Sequence, residues 1–199
     1  GGVGAIAVAS GQAALHLAQG QLVAFPTETV YGLGARADSD MAVAGIFRCK
    51  GRPSDHPLIV HVTDAAAAVA FAEELPPVAI RLTRNFWPGP LTVVVRRRSG
   101  VGAAAAGRLP TIGLRCPDHP VAQALLHAAR DRGVLGVAAP SANRFGRVSP
   151  TRASHVVDEF GVELMVLDGG PCREGIESTI VDCTGEFPVL LRPGTLARN

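Results

Sequence analysis

Apolar residues fall along this chain in two rhythms. Short unbroken runs read as buried strands: Gln21 to Phe25, Leu58 to Val62, Leu91 to Val95, Thr111 to Arg115, Val134 to Ala138 and Leu164 to Leu167. Spaced apolar positions between them predict helices. Ser10 caps a short one through Leu15 and Leu17 that Gly20 stops. Asp38 caps a second, with Val43, Ile46 and Phe47 on its inner face and Cys49-Lys50 at its end. An Ala-rich helix follows over about 64–74, and another over about 77–86 starts at Pro76-Pro77. Pro117-Asp-His-Pro120 opens a helix with Val121, Leu125 and Leu126 inward, and Thr151 caps one with Val156, Val157 and Phe160 that Gly161 ends. Pro26 to Gly34 reads as a loop leaving a strand, Trp87-Pro-Gly-Pro90 as a tight turn, and residues 99–109 as a mobile Gly/Ala loop. Glu177 to Asp182 and Val189 to Gly194 read as a hairpin across Gly185. No repeat, linker or domain boundary interrupts this order. Mixing crossover units with hairpins predicts a single α/β domain on a mixed rather than parallel sheet.

Composition narrows the picture without changing it. The 199 residues, 47% of them apolar with a mean hydropathy of +0.25, make a packed globule. A net charge of +2 does not call for a nucleic-acid polyelectrolyte, and Arg96-Arg97-Arg98 reads as the solvated end of a strand. The 4 cysteines never form a C-x-x-C pair, which argues against zinc or a disulfide framework and for a reducing, cytoplasmic setting. No apolar run reaches membrane-spanning length, and the Gly-Gly-Val opening lacks a basic signal-peptide start.

Candidate chemistry gathers where strands end. Lys50 is the single lysine beside eighteen arginines, which suggests a place that needs a compact ammonium rather than a planar fork. It opens Lys50-Gly-Arg52-Pro-Ser-Asp-His56-Pro, just before His61. Thr27 and Thr29, Arg115, Ser141, Asn143 and Ser149, Ser178 and Thr179, and Arg192 stand at other exits. Any one of these is ordinary turn chemistry; together they make a hydroxyl-lined basic concavity suited to a phosphate and a small carboxylated molecule. There is no P-loop, dinucleotide fingerprint or G-x-S-x-G elbow, and no Cys beside a His at catalytic spacing. Turn structure accounts for Asp55-His56 and Asp118-His119, and helix surfaces for His16, His127 and His155. What remains is positioning and charge stabilisation rather than covalent catalysis.

Seven segments in order give a more specific resemblance: Pro26-Thr-Glu-Thr-Val-Tyr-Gly-Leu-Gly34, Lys50-Gly-Arg-Pro-Ser-Asp-His-Pro-Leu-Ile-Val-His61, Pro88-Gly-Pro-Leu-Thr92, Arg115-Cys-Pro-Asp-His-Pro120, Pro140-Ser-Ala-Asn143, Glu177-Ser-Thr-Ile-Val-Asp182 and Arg192-Pro-Gly194. Together they resemble the YrdC/Sua5 family of threonylcarbamoyl-AMP synthases over nearly the whole chain. The resemblance implies a YrdC-like α/β domain, a twisted mixed sheet flanked by helices with an open basic concave cleft. It spans 1–199 with a short extension over about 1–9 and no C-terminal Sua5 domain. The implied reaction joins L-threonine, bicarbonate or CO2, and ATP into threonylcarbamoyl-AMP and pyrophosphate, the first step of the t6A modification of tRNA. Mg2+ accompanies the ATP, with no metal ligand assigned to a protein side chain. A downstream threonylcarbamoyl transferase complex takes the product to tRNA, with weak RNA binding by the enzyme as a side expectation. Carried over by motif, Lys50 and Arg52 are catalytic and form a phosphate-holding tetrad with Ser141 and Asn143. Thr111, Ser149, Arg192 and His56 match positions around ATP; Thr29, His61, Arg115 and Ser178 match positions around threonine. Lys50→Ala or Arg52→Ala is then expected to lose most turnover with normal melting. The ending suits the short members of the family and the Lys-Gly-Arg-Pro-Ser-Asp-His-Pro wording the longer ones, so a natural single-domain enzyme and a shortened long-type enzyme both fit. Two other readings stand beside it. One is the carbamoyl-adenylate-forming domain of hydrogenase-maturation proteins, whose acylphosphatase-like and zinc-finger segments are not found in this chain. The other is a module that holds double-stranded or transfer RNA, against which the low charge and scarce aromatics weigh.

Overall fold

The computed structural model describes residues 3–51, 53, 55–144, 146–194 and 196. The first helix, α1 (Val3–Ala18), starts well before Ser10, which lies inside it, buried and without a partner for its hydroxyl. The expected Ser10 cap is therefore corrected, and from Val3 onward the short 1–9 extension is helical. The alanines of this stretch favour helix, and Ala13, Ala14 and Leu17 bury against Ala122, Leu125 and Ala129 of α5 (Pro120–Asp131).

The strand β1 (Val23–Pro26) turns straight back into β2 (Tyr31–Arg36), with Phe25 opposite Gly32 and Val23 opposite Gly34. Pro26 to Gly34 is thus a tight hairpin and not a loop. Gly34 belongs in the strand because a Cβ there would stand 2.9 Å from the Phe25 ring and 2.8 Å from Val137. Next comes α2 (Asp40–Lys50), capped by Ser39, whose hydroxyl accepts from Ala42 N at 3.1 Å. Asp38, the expected cap, is held instead by Arg36 at 2.6 Å. Gly51, in the left-handed region at φ 67°, stops the helix.

After β3 (Ile59–His61), the Ala-rich helix shrinks to α3 (Ala65–Ala68), because the chain turns there to seat Phe71 in the core and bridge Ala72 to Arg97. Then follow α4 (Pro77–Phe86), β4 (Leu91–Arg96) and β5 (Thr111–Arg115). Residues 99–109 do not form the loose loop expected: Ala105 and Ala106 are fully buried and Leu58 N donates to Ala105 O at 2.7 Å. Arg97 and Arg98 donate to carbonyls of Val101, Leu109 and Val69, so two of the three arginines fasten neighbouring segments while Arg96 is exposed. Beyond α5, β6 is only Val137–Ala138. In α6 (Ala153–Phe160), Arg152 occupies the cap position without a side-chain bond; Thr151, expected there, gives its carbonyl to Cys172 N. The chain ends in β7 (Met165–Val166) and the hairpin of β8 (Thr179–Asp182) and β9 (Val189–Arg192).

Among the described residues the strands form one mixed sheet in the order β7-β1-β2-β6-β3-β5-β4-β8-β9, with β1/β7, β3/β5 and β4/β8 parallel. Because side chains alternate along a strand, each face has its own core. One holds Ala24, Val60, Val93 and Leu114 with α2, α3, α4 and residues 101–106; the other holds Phe25 and Val137 with α1 and α5. Along this second face one row of cross-strand neighbours runs Val137, His61, Arg115, Thr92, Ile180, Arg192. The next row, Ile59, Gly113, Val94 and Asp182, is only half-buried. The second face is therefore helix-covered at one end and open at the other, and the row of polar side chains lies at the border. No helix among the described residues is long and apolar enough to cross a membrane.

Candidate active site

At that border lies a cavity of 220 Å3, lined by Thr27, His61, Arg115, Ser141, Ser178 and Arg192, with Pro57, Ile59 and Glu177 at its edge. Parallel pairing of β3 with β5 sets His61 beside Arg115, and antiparallel pairing of β5 with β4 sets Arg115 beside Thr92. The Thr92 and Ser178 hydroxyls meet at 2.8 Å. Arg192 reaches across from β9, donating Nε to Ser178 O at 3.0 Å and Nη2 to Ser178 Oγ at 3.2 Å, while Nη1 lies 3.4 Å from Glu177 Oε2.

Arg115 is 4% exposed. Its Nη2 donates to Glu28 Oε1, Nη1 to Thr29 Oγ1 at 3.1 Å and Nε to Gly89 O at 3.3 Å. A guanidinium has five N–H groups, so these three bonds leave two for a ligand among the described residues. Burial disfavours the Arg115 cation and lowers its pKa, and the Glu28 charge works the other way. Glu28, 2% exposed, also takes Asp118 N on Oε2 at 2.8 Å. Thr29 is braced in turn by the Thr27 hydroxyl at 2.9 Å. Burial, aided by the Arg115 charge, pushes His61 down to about 3, so its imidazole is neutral at ordinary pH; Nδ1 lies 3.3 Å from Val137 O and the ring packs edge-on to Phe25.

Lys50, at the end of α2 and 3% exposed, sends its ammonium to two backbone carbonyls, Ser141 O at 2.5 Å and Asn143 O at 2.6 Å. It fastens the turn after β6 from behind. The same turn borders a second cavity of 360 Å3, lined by Ala142, Asn143, Arg147, Ser149, Pro150 and His155 among others. Asn143 spends both amide hydrogens on carbonyls of Arg144 and Arg147, at 2.9 and 2.8 Å, while its Oδ1 is buried without a partner.

The residues expected from sequence thus divide. His61, Arg115, Ser141, Ser178 and Arg192 share the smaller cavity, with Thr29 bonded to Arg115; Asn143 and Ser149 line the larger. Lys50 is the clamp between them. His56 is half-buried on the loop before β3. Thr111 lies on the same face of β5 as Arg115 but four residues away, roughly 13 Å along the strand. Arg52 falls outside the described residues. Two participants were not singled out from sequence: Glu28, whose signal was a carboxylate set between hydroxyls at a strand end, and Thr92, hidden in an apolar strand.

A family profile described as "Telomere recombination" and named for Sua5, YciO and YrdC matches residues 16–194. Curated threonylcarbamoyl-AMP synthases align along most of the chain. That of Pyrococcus abyssi is 46% identical over 185 residues, 92% of this chain and 53% of its own, and that of Bacillus subtilis 44% identical over 190 residues, 94% and 54%. The chain therefore spans about half the length of the curated relatives it matches. Among solved structures, P. abyssi Sua5 complexed with L-threonine superposes with a TM-score of 0.87 at 45% identity, covering 93% of this chain and 54% of that one.

Proposed function

The chain belongs to the Sua5/YciO/YrdC family, and from that premise we propose that it makes threonylcarbamoyl-AMP from L-threonine, bicarbonate or CO2, and ATP. One observation carries this reading: a small polar cavity with an unspent buried guanidinium edge shares the 141–143 turn with a larger cavity. That is room for a small carboxylated molecule beside a nucleotide. The relatives' names and the threonine-bound Sua5 supply the identity of the small molecule.

In the proposed reaction the threonine amine forms a C–N bond to CO2 with loss of a proton to solvent, or to bicarbonate with loss of water, to give a carbamate. A carbamate oxygen then attacks the α-phosphorus of ATP; the O–P bond forms as the bond to the β-phosphate oxygen breaks, and pyrophosphate leaves. Arg115 holds the amino acid carboxylate through its two remaining N–H groups. Ser178 and neutral His61 supply polar contacts that add no further charge to the floor. Lys50 fixes the turn that both substrates touch, and Arg192 faces the accumulating phosphate charge. No side chain acts as a nucleophile; the protein contributes proximity and field. Mg2+, when bound, neutralises part of the triphosphate charge. Among the described residues no group of three His, Cys, Asp or Glu gathers to cage it; a magnesium ion brought in on phosphate oxygens and waters would not require one. The unpartnered Asn143 Oδ1 on the wall of the larger cavity is a hard oxygen of the kind such an ion takes, directly or through water. The mixed anhydride product requires a downstream transferase that delivers the threonylcarbamoyl group to tRNA.

The test is pyrophosphate release from ATP by the purified chain. Release that needs both threonine and bicarbonate is expected. Equal release with serine, with carbamoyl phosphate in their place, or with no amino acid overturns the assignment.

A further inference from the structure

Glu28 is buried deeper than any other carboxylate near the site, yet it does not line either cavity. It stands behind Arg115. One oxygen takes Arg115 Nη2 and the other takes the backbone N–H of Asp118, so both are spent inside the protein. Its own backbone carbonyl accepts from Glu174 N at 2.9 Å, next to the segment that carries Glu177 and Ser178. Three stretches far apart in sequence, residues 27–30, 115–118 and 174–178, therefore meet on this one side chain and its peptide.

We propose that Glu28 is the positioning residue of the amino-acid subsite: its carboxylate turns the Arg115 guanidinium so that the two unspent N–H groups face the cavity. The Thr29 hydroxyl and Gly89 carbonyl hold two corners of the guanidinium from other directions. Without the third hold only a hydroxyl and a carbonyl at the long ends of hydrogen-bond range set the plane, and a bidentate contact with a carboxylate depends on that plane. The carboxylate also balances the buried cation, so the floor carries no uncompensated charge before a ligand arrives. This inference rests on the proposed function above for the identity of the ligand.

Two variants separate positioning from mere structure. Glu28→Asp keeps the charge but withdraws it by one methylene, roughly 1.5 Å; Glu28→Gln keeps the length and removes the charge. Threonine binding is measured by calorimetry without ATP, and KM and kcat by pyrophosphate release. For Glu28→Asp, the expected result is threonine affinity and KM weakened about tenfold or more, an ATP KM within about twofold, and a midpoint of melting close to that of the parent chain. Glu28→Gln is expected to weaken threonine further and to melt earlier. An unchanged threonine KM in Glu28→Asp overturns the proposal. So does a fall of kcat in step with the melting temperature with no separation of the two KM values, since that is the mark of a structural role. Tighter threonine binding by Glu28→Gln also overturns it, because Glu28 would then only offset charge. Failure of the functional reading shows instead in the parent chain, as pyrophosphate release indifferent to threonine; if the parent chain binds no threonine, both fall.

Discussion

Lys50 carries an ammonium within 2.6 Å of two carbonyls on one turn, a geometry open to three N–H groups on a single nitrogen and closed to a planar fork. Its composition marked it: one lysine beside eighteen arginines. What the composition did not carry was the partner, because Ser141 and Asn143 lie more than ninety residues away and offer backbone oxygens rather than side chains. This changes the expectation that Lys50→Ala melts normally. Truncation leaves two carbonyls facing a cavity and should remove about 2–4 kcal/mol, roughly 5–15 °C in a chain of this size. Lys50→Arg should also fail, through overpacking against the turn, with most turnover lost although the charge is kept. Calorimetric melting beside pyrophosphate release checks both; a silent Lys50→Arg would remove any need for a compact ammonium. Arg115 teaches the same lesson. Its type suited a carboxylate ligand, yet part of its fork is already taken by Glu28, a partner that only the folded hairpin brings near.

At the scale of elements, the strand runs were legible because their period and β-branched content are local signals. The structure departs from the pattern at helix starts, where Ser10, Asp38 and Thr151 do not cap, and where glycine or alanine carries packing rather than flexibility. Tyr31-Gly-Leu-Gly34 reads as a loop until Phe25 and Val137 are seen to occupy the space a Cβ would need. Residues 99–109 read as mobile for the same reason, and the structure instead presses them against the loop that leads from Lys50 to β3. Gly107 sits at φ 61°, and a Cβ there would stand 2.6 Å from Asp55 O and 2.9 Å from Pro57 N, all of it backbone. Gly107→Ala therefore combines left-handed strain with a clash that has no flexible side chain to yield. A loss of about 2–3 kcal/mol is expected, together with a raised KM, since Pro57 lines the smaller cavity. Thermal melting and substrate titration test this; a variant with parental stability and KM would show that the segment does not bear on the site.

For the molecule as a whole, crossovers mixed with hairpins were enough to foresee a mixed sheet. They were not enough to give the strand order, and the order is what makes the site. The row from Val137 through His61, Arg115, Thr92 and Ile180 to Arg192 draws on six strands, in registers that no local pattern encodes. It also places two cavities on the turn Pro140 to Asn143. Ser141 lines one cavity, Asn143 the other, and Lys50 pins both carbonyls; Ala142 N and Leu33 N tie the same stretch to β2. A wall held at so many points does not take separate positions for its two sides. A ligand that shifts the wall from one cavity therefore shifts it for the other. Threonine and a nonhydrolysable ATP analogue should therefore bind with positive coupling, each strengthening the other by the same factor, about fivefold or more. Titrating threonine calorimetrically with and without the analogue, then the analogue with and without threonine, measures the factor from both directions. Lys50→Arg, with the pin disturbed, should reduce it toward one. Equal affinities in all four titrations of the parent chain would mean that the two cavities are independent and the shared turn transmits nothing between them.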